Sequence, residues 1–264
     1  MNIFRFEFRS ILKNTLIWSL SLSAVCLFMM IIFPAYRENA DAIRSMIEGF
    51  PDEALKAMGM DLNTIFGVLG FYSFLMVYLT LIGGVQAAAL GVGILSREYR
   101  EKNSDFLMTK PVKRSVVVTS KLCAALLAIV ITNIIFMLSS VGICLAVSDQ
   151  KFSMTALVMI SLTMLFIQLV FLSMGAVLAV FIRIKSVYTA ALALNVVFFA
   201  LSLVESLAGK DALQFLTPFK YFDPAQIVLD EAYEPSSFII VFAVAAVCTA
   251  AVYIGSIRSD IPTA

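Results

Sequence analysis

Six stretches without a single Asp, Glu, Lys or Arg constrain this chain more than anything else in it: 16–35, 66–95, 122–147, 155–182, 187–204 and 238–257. A helix needs ~20 apolar residues to cross a hydrocarbon layer of ~30 Å, and one charge at its centre costs about 2.5–3.5 kcal/mol on insertion scales. All six runs meet the first condition closely enough, the shortest with 18 residues, and none violates the second. Composition agrees. Hydrophobic residues make up 61% of the 264 and charged residues only 14%, against roughly half and a quarter in soluble domains. Too little polar surface remains to cover a soluble globule. The reading is an all-α polytopic membrane protein with six transmembrane helices, residues 1–264 forming one domain.

Charge then orients the spans. The N-terminus, the 96–121 loop, Arg183 with Lys185, and Arg258 together hold thirteen of the nineteen Lys and Arg residues. The alternate segments 36–65, 148–154 and 205–237 hold six, but thirteen of the eighteen acids. One face is therefore near +8 and the other near −7. The positive-inside bias places both termini and the 96–121 loop in the cytoplasm.

Several chemistries are excluded by what is missing. The chain has no histidine, which removes His-based acid–base catalysis and His-ligated metal sites. The cysteines Cys26, Cys123, Cys144 and Cys248 all fall inside apolar runs, where they read as small packing residues rather than disulfides or metal ligands. Gly209-Lys210 is followed by Asp211 and lacks the upstream glycine of a Walker A loop. No catalytic residue, cofactor, metal or nucleic-acid site is expected.

The flanking segments have their own patterns. In residues 1–14, Phe4, Phe8, Ile11 and Leu12 share one helical face and Arg5, Arg9 and Lys13 another, which predicts an N-terminal amphipathic helix in the membrane interface. The run after it is too long for a signal-peptide core and reads as a retained first span. In the outer segment 36–65, Ala42, Ile43, Met46 and Ile47 are spaced for one helix, and Glu53 to Lys56, after Pro51, for the start of another. In the outer segment 205–237, Pro218 and Pro224 punctuate an aromatic cluster suited to the headgroup zone. Either segment could wrap the interface or form a lid.

The 96–121 loop is the longest basic segment and carries seven Lys and Arg residues. Its start continues the second span, with Glu98→Lys102 as a favourable i, i+4 pair. Ser104 and Asp105 then offer a cap before Phe106, Leu107 and Met108, and Pro111 ends that piece. A short helix with this apolar stripe suits a groove on a partner, whereas the basic residues alone suit anionic lipid.

The pattern E-x-x-E-x-x-x-D-x-L-M-T-x-P-V-x-R, from Glu98 to Arg114, resembles that of the type-2 permease family of ATP-binding-cassette (ABC) transporters. Members often have Gly-Thr where this chain has Asn103-Ser104. The sequences FPDEALKAMGMD at 50–61 and TPFKYFDP at 217–224 resemble recurrent outer segments of such permeases, so the resemblance covers essentially the whole chain. It implies a dimer, either of two copies or with a homologous permease, moved by cytoplasmic ATP-binding-cassette ATPase subunits. It also implies a cytoplasmic coupling helix between spans two and three. The matching positions are Glu98, Glu101, Asp105, Leu107, Pro111 and Arg114. Asp105, Phe106, Leu107 and Met108 are expected to touch the ATPase, and Glu98 and Glu101 to hold the loop against the inner ends of the spans.

Polar residues within the spans complete the candidates. Gln86, Asn133, Gln168 and Asn195 lie eight to fourteen residues from the inner ends, roughly 12–21 Å deep at 1.5 Å per residue. They could line a translocation path, or hydrogen-bond neighbouring helices. Gly83-Gly84, Gly91 and Gly93 suggest close helix approach, at a dimer seam or a kink. The expected function is the permease subunit of an ATP-driven exporter in a bacterial plasma membrane, embedded in the lipid bilayer. The alternative is a non-transporting membrane module for binding or sensing. A membrane enzyme would need convergent ionisable groups near the midplane, and the spans contain none.

Overall fold

The computed structural model describes residues 3–100, 113–148, 151–208 and 215–258, and among them there is no β-strand. In chain order the helices are α1 (Ile3–Ile31), α2 (Phe33–Glu38), α3 (Ala40–Ile47), α4 (Asp52–Ala57), α5 (Val68–Arg100), α6 (Arg114–Val147), α7 (Met154–Phe181), α8 (Val187–Ala208), α9 (Pro224–Asp230) and α10 (Pro235–Arg258). The six long ones, α1, α5, α6, α7, α8 and α10, contain the six apolar runs and are long and apolar enough to cross a membrane.

Local signals explain where they stop. Pro34 lacks an amide donor, and the first span accordingly breaks at Ile32 and restarts as α2 with proline in its first turn. Ser153 caps α7, its hydroxyl accepting from the Ala156 amide at 3.3 Å. Asp223 does the same for α9 through the Ala225 amide at 2.9 Å. With 33 and 34 residues, α5 and α6 each rise ~50 Å, well beyond the apolar layer. Their charged ends therefore extend past it.

The N-terminal segment is helical, with Arg5, Arg9 and Lys13 exposed and Phe4, Phe8, Ile11 and Leu12 partly buried. It is not a separate element, however: it is the opening of α1, which runs unbroken for 29 residues. No proline or glycine between Ile3 and Ile31 interrupts the hydrogen-bond ladder. Glu7, on the same stretch, is buried against the bundle.

The bundle is organised around α5 and α7, the most buried of the six long helices. They pack along each other at a separation only glycine allows. A Cβ on Gly91 would stand 2.2 Å from the Leu172 carbonyl oxygen, and one on Gly175 would stand 2.5 Å from that of Ala88. Small residues permit such backbone approach in membranes, where dispersion must do what water does elsewhere. Gly83, Gly84 and Gly91 of the second span thus serve packing inside one chain, whereas Gly93 makes no such close approach. Gly83 faces Met164 and Gln168, and Gly84 faces Phe171 and Asn195. Helix α6 lies beside α7 and carries α1 along its other side. At the periphery, α8 and α10 are the least buried of the six long helices.

The described parts of segments 36–65 and 205–237 cap the acidic end. Both predicted helices form, as α3 and α4. Helix α4 packs on α8 and buries Leu55, whereas α3 leaves Met46 exposed. Gly59 adopts φ +78° beside Val77, a conformation and a closeness that a side chain would oppose. Phe222 and Tyr233 of the other segment, with Phe238 of α10, surround Phe166 of α7, with ring centroids 5.0–6.1 Å from it. The Tyr233 hydroxyl donates to the Met159 carbonyl at 2.5 Å. Burial pushes that phenol up to about 12, partly offset by a hydrogen bond with Thr163, so it remains a neutral donor at physiological pH. Beneath this cap lies a cavity of about 50 Å³ bordered by Lys56, Thr80, Thr163, Phe219 and Asp223.

Candidate functional site

Two buried polar clusters stand out, one at each level where the sequence places candidates. The first sits where the 96–121 segment meets the bundle. Much of that segment is helix rather than loop: α5 continues to Arg100 and α6 begins at Arg114. Lys121, at the end of the basic segment, is therefore two turns into α6 and only 2% exposed. Its ammonium lies 3.1 Å from Glu7 Oε1 and donates to the Ile94 carbonyl of α5 at 2.8 Å. Arg97 of α5 approaches Glu7 Oε2 at 4.0 Å and also donates to Ser10 of α1. One carboxylate from α1 thus meets cations from both helices that flank the segment.

Such an arrangement is expensive to leave incomplete. Removing one member of a buried ion pair strands the other, at about 3–5 kcal/mol. The side chains of Glu7 and Lys121 are 7% and 3% exposed, so water screens them little. The cluster ties the N-terminal turns of α1 to the last turns of α5 and the first turns of α6.

The residues expected to touch a partner fall mostly elsewhere. Glu101, Asp105, Phe106, Leu107, Met108 and Pro111 lie outside the described residues, as does the expected coupling helix. Glu98 belongs to the last turn of α5, and Arg114 opens α6 at the exposed surface.

The second cluster is uncharged and lies within the spans. Gln168 of α7 is its hub. Its Oε1 accepts from Asn133 Nδ2 of α6 at 2.6 Å, and its Nε2 donates to Gln86 Oε1 and to the Gly83 carbonyl of α5, both at 3.2 Å. Gln86 Nε2 donates onward to Thr132 Oγ1 at 2.9 Å, and Ser19 of α1 reaches the same Thr132 oxygen at 3.2 Å. Four helices are joined by one chain of hydrogen bonds. Three of the four in-span candidates thereby come together, with Gln86, Asn133 and Gln168 at 1%, 6% and 0% exposure.

Asn195 stands apart. Its Nδ2 donates to the Ala191 carbonyl of its own helix at 2.9 Å, and its buried Oδ1 has no hydrogen-bond partner. That oxygen occupies the space opposite Gly84, where a Cβ would come within 2.2 Å of it. Asn195 therefore packs α8 onto α5 without entering the network.

Sequence reasoning missed Glu7. Its signal was available: it is the only acid in the basic stretch before the first span, and it sits on the face opposite the exposed Arg5 and Arg9. Ser19 and Thr132 were also missed, because hydroxyl residues are unremarkable in membrane helices.

With six helices long and apolar enough to cross a membrane, the chain is a multi-pass membrane protein. The family is also shown. The model of the ABC-2 family transporter protein matches residues 1–258, and the chain belongs to that family. It is a membrane permease component of an ABC transporter and not itself the ATPase. Permeases of this family normally work with a cytoplasmic ATPase and often dimerise. Among curated proteins, none matches the chain.

Proposed function

We propose that this chain is the permease subunit of an exporter in a bacterial plasma membrane, with both termini and the 96–121 segment in the cytoplasm. An ATPase subunit docks on that segment through Asp105, Phe106, Leu107 and Met108, with Glu98, Glu101, Pro111 and Arg114 setting its geometry. A second copy or a homologous permease completes the transporter. The observation that carries this reading is the buried Glu7–Lys121 pair with Arg97 beside it. A docked partner pushing on the segment would move α1, α5 and α6 together, because one carboxylate fastens all three. The face charge of +8 against −7 supports the orientation.

In the same reading, Gln86, Asn133 and Gln168 hold the four inner helices in one unit, and the path runs where copies of the permease face each other. A route through a single protomer would have to break several buried hydrogen bonds in each cycle. Gentle purification from native membranes tests the proposal. An ATPase should co-purify with the chain, and Asp105→Ala with Phe106→Ala should release it while the permease remains folded. Absence of any ATPase, together with unchanged transport in the double variant, would leave the sensory or binding module as the better account. Transport into inside-out vesicles, measured with ATP present, checks the direction.

A further inference from the structure

Where α1, α5 and the start of α8 meet at the basic end of the bundle, they enclose an open groove of about 430 Å³. This is within the ~300–1,000 Å³ range of ligand pockets. Its mouth is polar and basic: Ser10 of α1, Arg97 of α5, and Lys185, Ser186 and Tyr188 around the start of α8. Lys185 and Ser186 are exposed, as is Tyr188 at 54%. The inner wall is apolar, formed by Ile11, Leu90, Gly93 and Val187. At Gly93 the wall is low. A Cβ there would touch only Val187 Cγ1, at 3.7 Å, so the groove has depth along α5.

The groove's one acid, Glu7, does not make it anionic. Lys121 lies 3.1 Å from that carboxylate and Arg97 4.0 Å from it, so two cations outnumber the one acid, and Lys185 adds a third at the exposed rim. A cationic rim above an apolar trough, at the end of membrane-spanning helices, matches a ligand that is itself anionic at one end and apolar at the other.

We propose that this groove seats an anionic glycerophospholipid from the leaflet at the basic face. Arg97 and Lys185 face its phosphate, the Ser186 and Tyr188 hydroxyls supply neutral hydrogen bonds, and the first carbons of an acyl chain lie along Leu90, Gly93 and Val187. Guanidinium and ammonium groups are the usual phosphate partners, and basic pockets between membrane helices bind anionic headgroups. The apolar wall selects a lipid over a soluble phosphate, which has nothing to place there. Because Arg97 also faces Glu7, the lipid would touch the cluster that fastens α1 to α5 and α6. The inference does not depend on the direction of transport or on an ATPase.

Native mass spectrometry of the full chain, delipidated in mild detergent and titrated with dioleoyl phosphatidylglycerol or dioleoyl phosphatidylcholine, tests it. One phosphatidylglycerol should bind in preference to phosphatidylcholine. Lys185→Gln should lower that preference about fivefold, the usual weight of one cation near a headgroup. Gly93→Leu, which fills the trough and leaves the charges alone, should also abolish the preferred lipid. Lys151→Gln, on the acidic face, should change nothing. Equal binding of the two lipids, or a preference that survives both Lys185→Gln and Gly93→Leu, overturns the proposal. So does displacement of the lipid by glycerol phosphate at equal concentration, which would make this a soluble-phosphate site. A dimer that excludes lipid would instead assign the groove to a second copy.

Discussion

The two buried polar clusters of this protein do the same job with opposite chemistry. At the basic end a carboxylate and two cations hold three helices; within the spans, amides and hydroxyls hold four. The difference follows from depth. Near the end of the spans a charge can be buried beside a partner and still lie close to the headgroup zone. In mid-span each ion would cost about 2.5–3.5 kcal/mol, so the chain uses neutral groups that hydrogen-bond one another. The lesson concerns fragility. An ion cluster stores a large penalty in any one missing member, whereas an amide network spreads small contributions over many bonds.

Unequal responses to substitution would sharpen that contrast. Glu7→Gln should have the largest effect, about 3–5 kcal/mol, because it leaves Lys121 buried beside a neutral amide. Thermal unfolding in detergent, followed by the reactivity of the buried thiols of Cys26 and Cys144 in a background lacking Cys123, would read it. The exchanged pair Glu7→Lys with Lys121→Glu should recover part of the loss; if it recovers none, the contact matters for packing rather than charge. Gly91→Ala comes next, at about 1–3 kcal/mol, since its Cβ would overlap the Leu172 carbonyl. The same unfolding assay applies, and an unchanged midpoint would mean that α5 and α7 stand farther apart.

Smaller effects belong to the amide network. Gln168→Leu removes three interhelical hydrogen bonds, at ~0.6 kcal/mol each in a membrane host, so a loss near 2 kcal/mol is expected. A loss as large as that of Glu7→Gln would erase the distinction drawn between the clusters. Asn195→Ala should cost least, under about 1 kcal/mol, because it gives up one bond within its own helix and removes an unpaired oxygen. A defect in transport without a matching loss of stability would move Asn195 from packing to the path.

The legibility of these regions in the sequence was uneven for a physical reason. The midplane amides announced themselves, since Gln86, Asn133 and Gln168 are conspicuous in uncharged runs. Their partners did not, because helix rotation decides which of them face each other and that depends on α5 meeting α7 at Gly91 and Gly175. Lys121 was visible but assigned to a loop, as a charge after a basic run gives no hint that the helix has already begun. Glu7 was hidden among three basic residues whose pattern suggested a surface helix. The helices expected from the spacing of Ala42, Ile43, Met46 and Ile47, and from Glu53 to Lys56 after Pro51, form as α3 and α4, because such short elements are governed locally.

The sequence by itself determined the number of spans, the charged difference between the two faces and the family, because each rests on lengths, counts or linear motifs. Transfer into lipid depends on what a segment is made of, and needs no knowledge of its neighbours. Tertiary structure alone decided that the N-terminal stretch is the foot of α1, that its carboxylate fastens both ends of the basic segment, and that three of four midplane amides are already spent on one another. Those outcomes depend on which faces of separate helices meet, and a meeting between residues 7 and 121, or 86 and 168, leaves no trace in local composition.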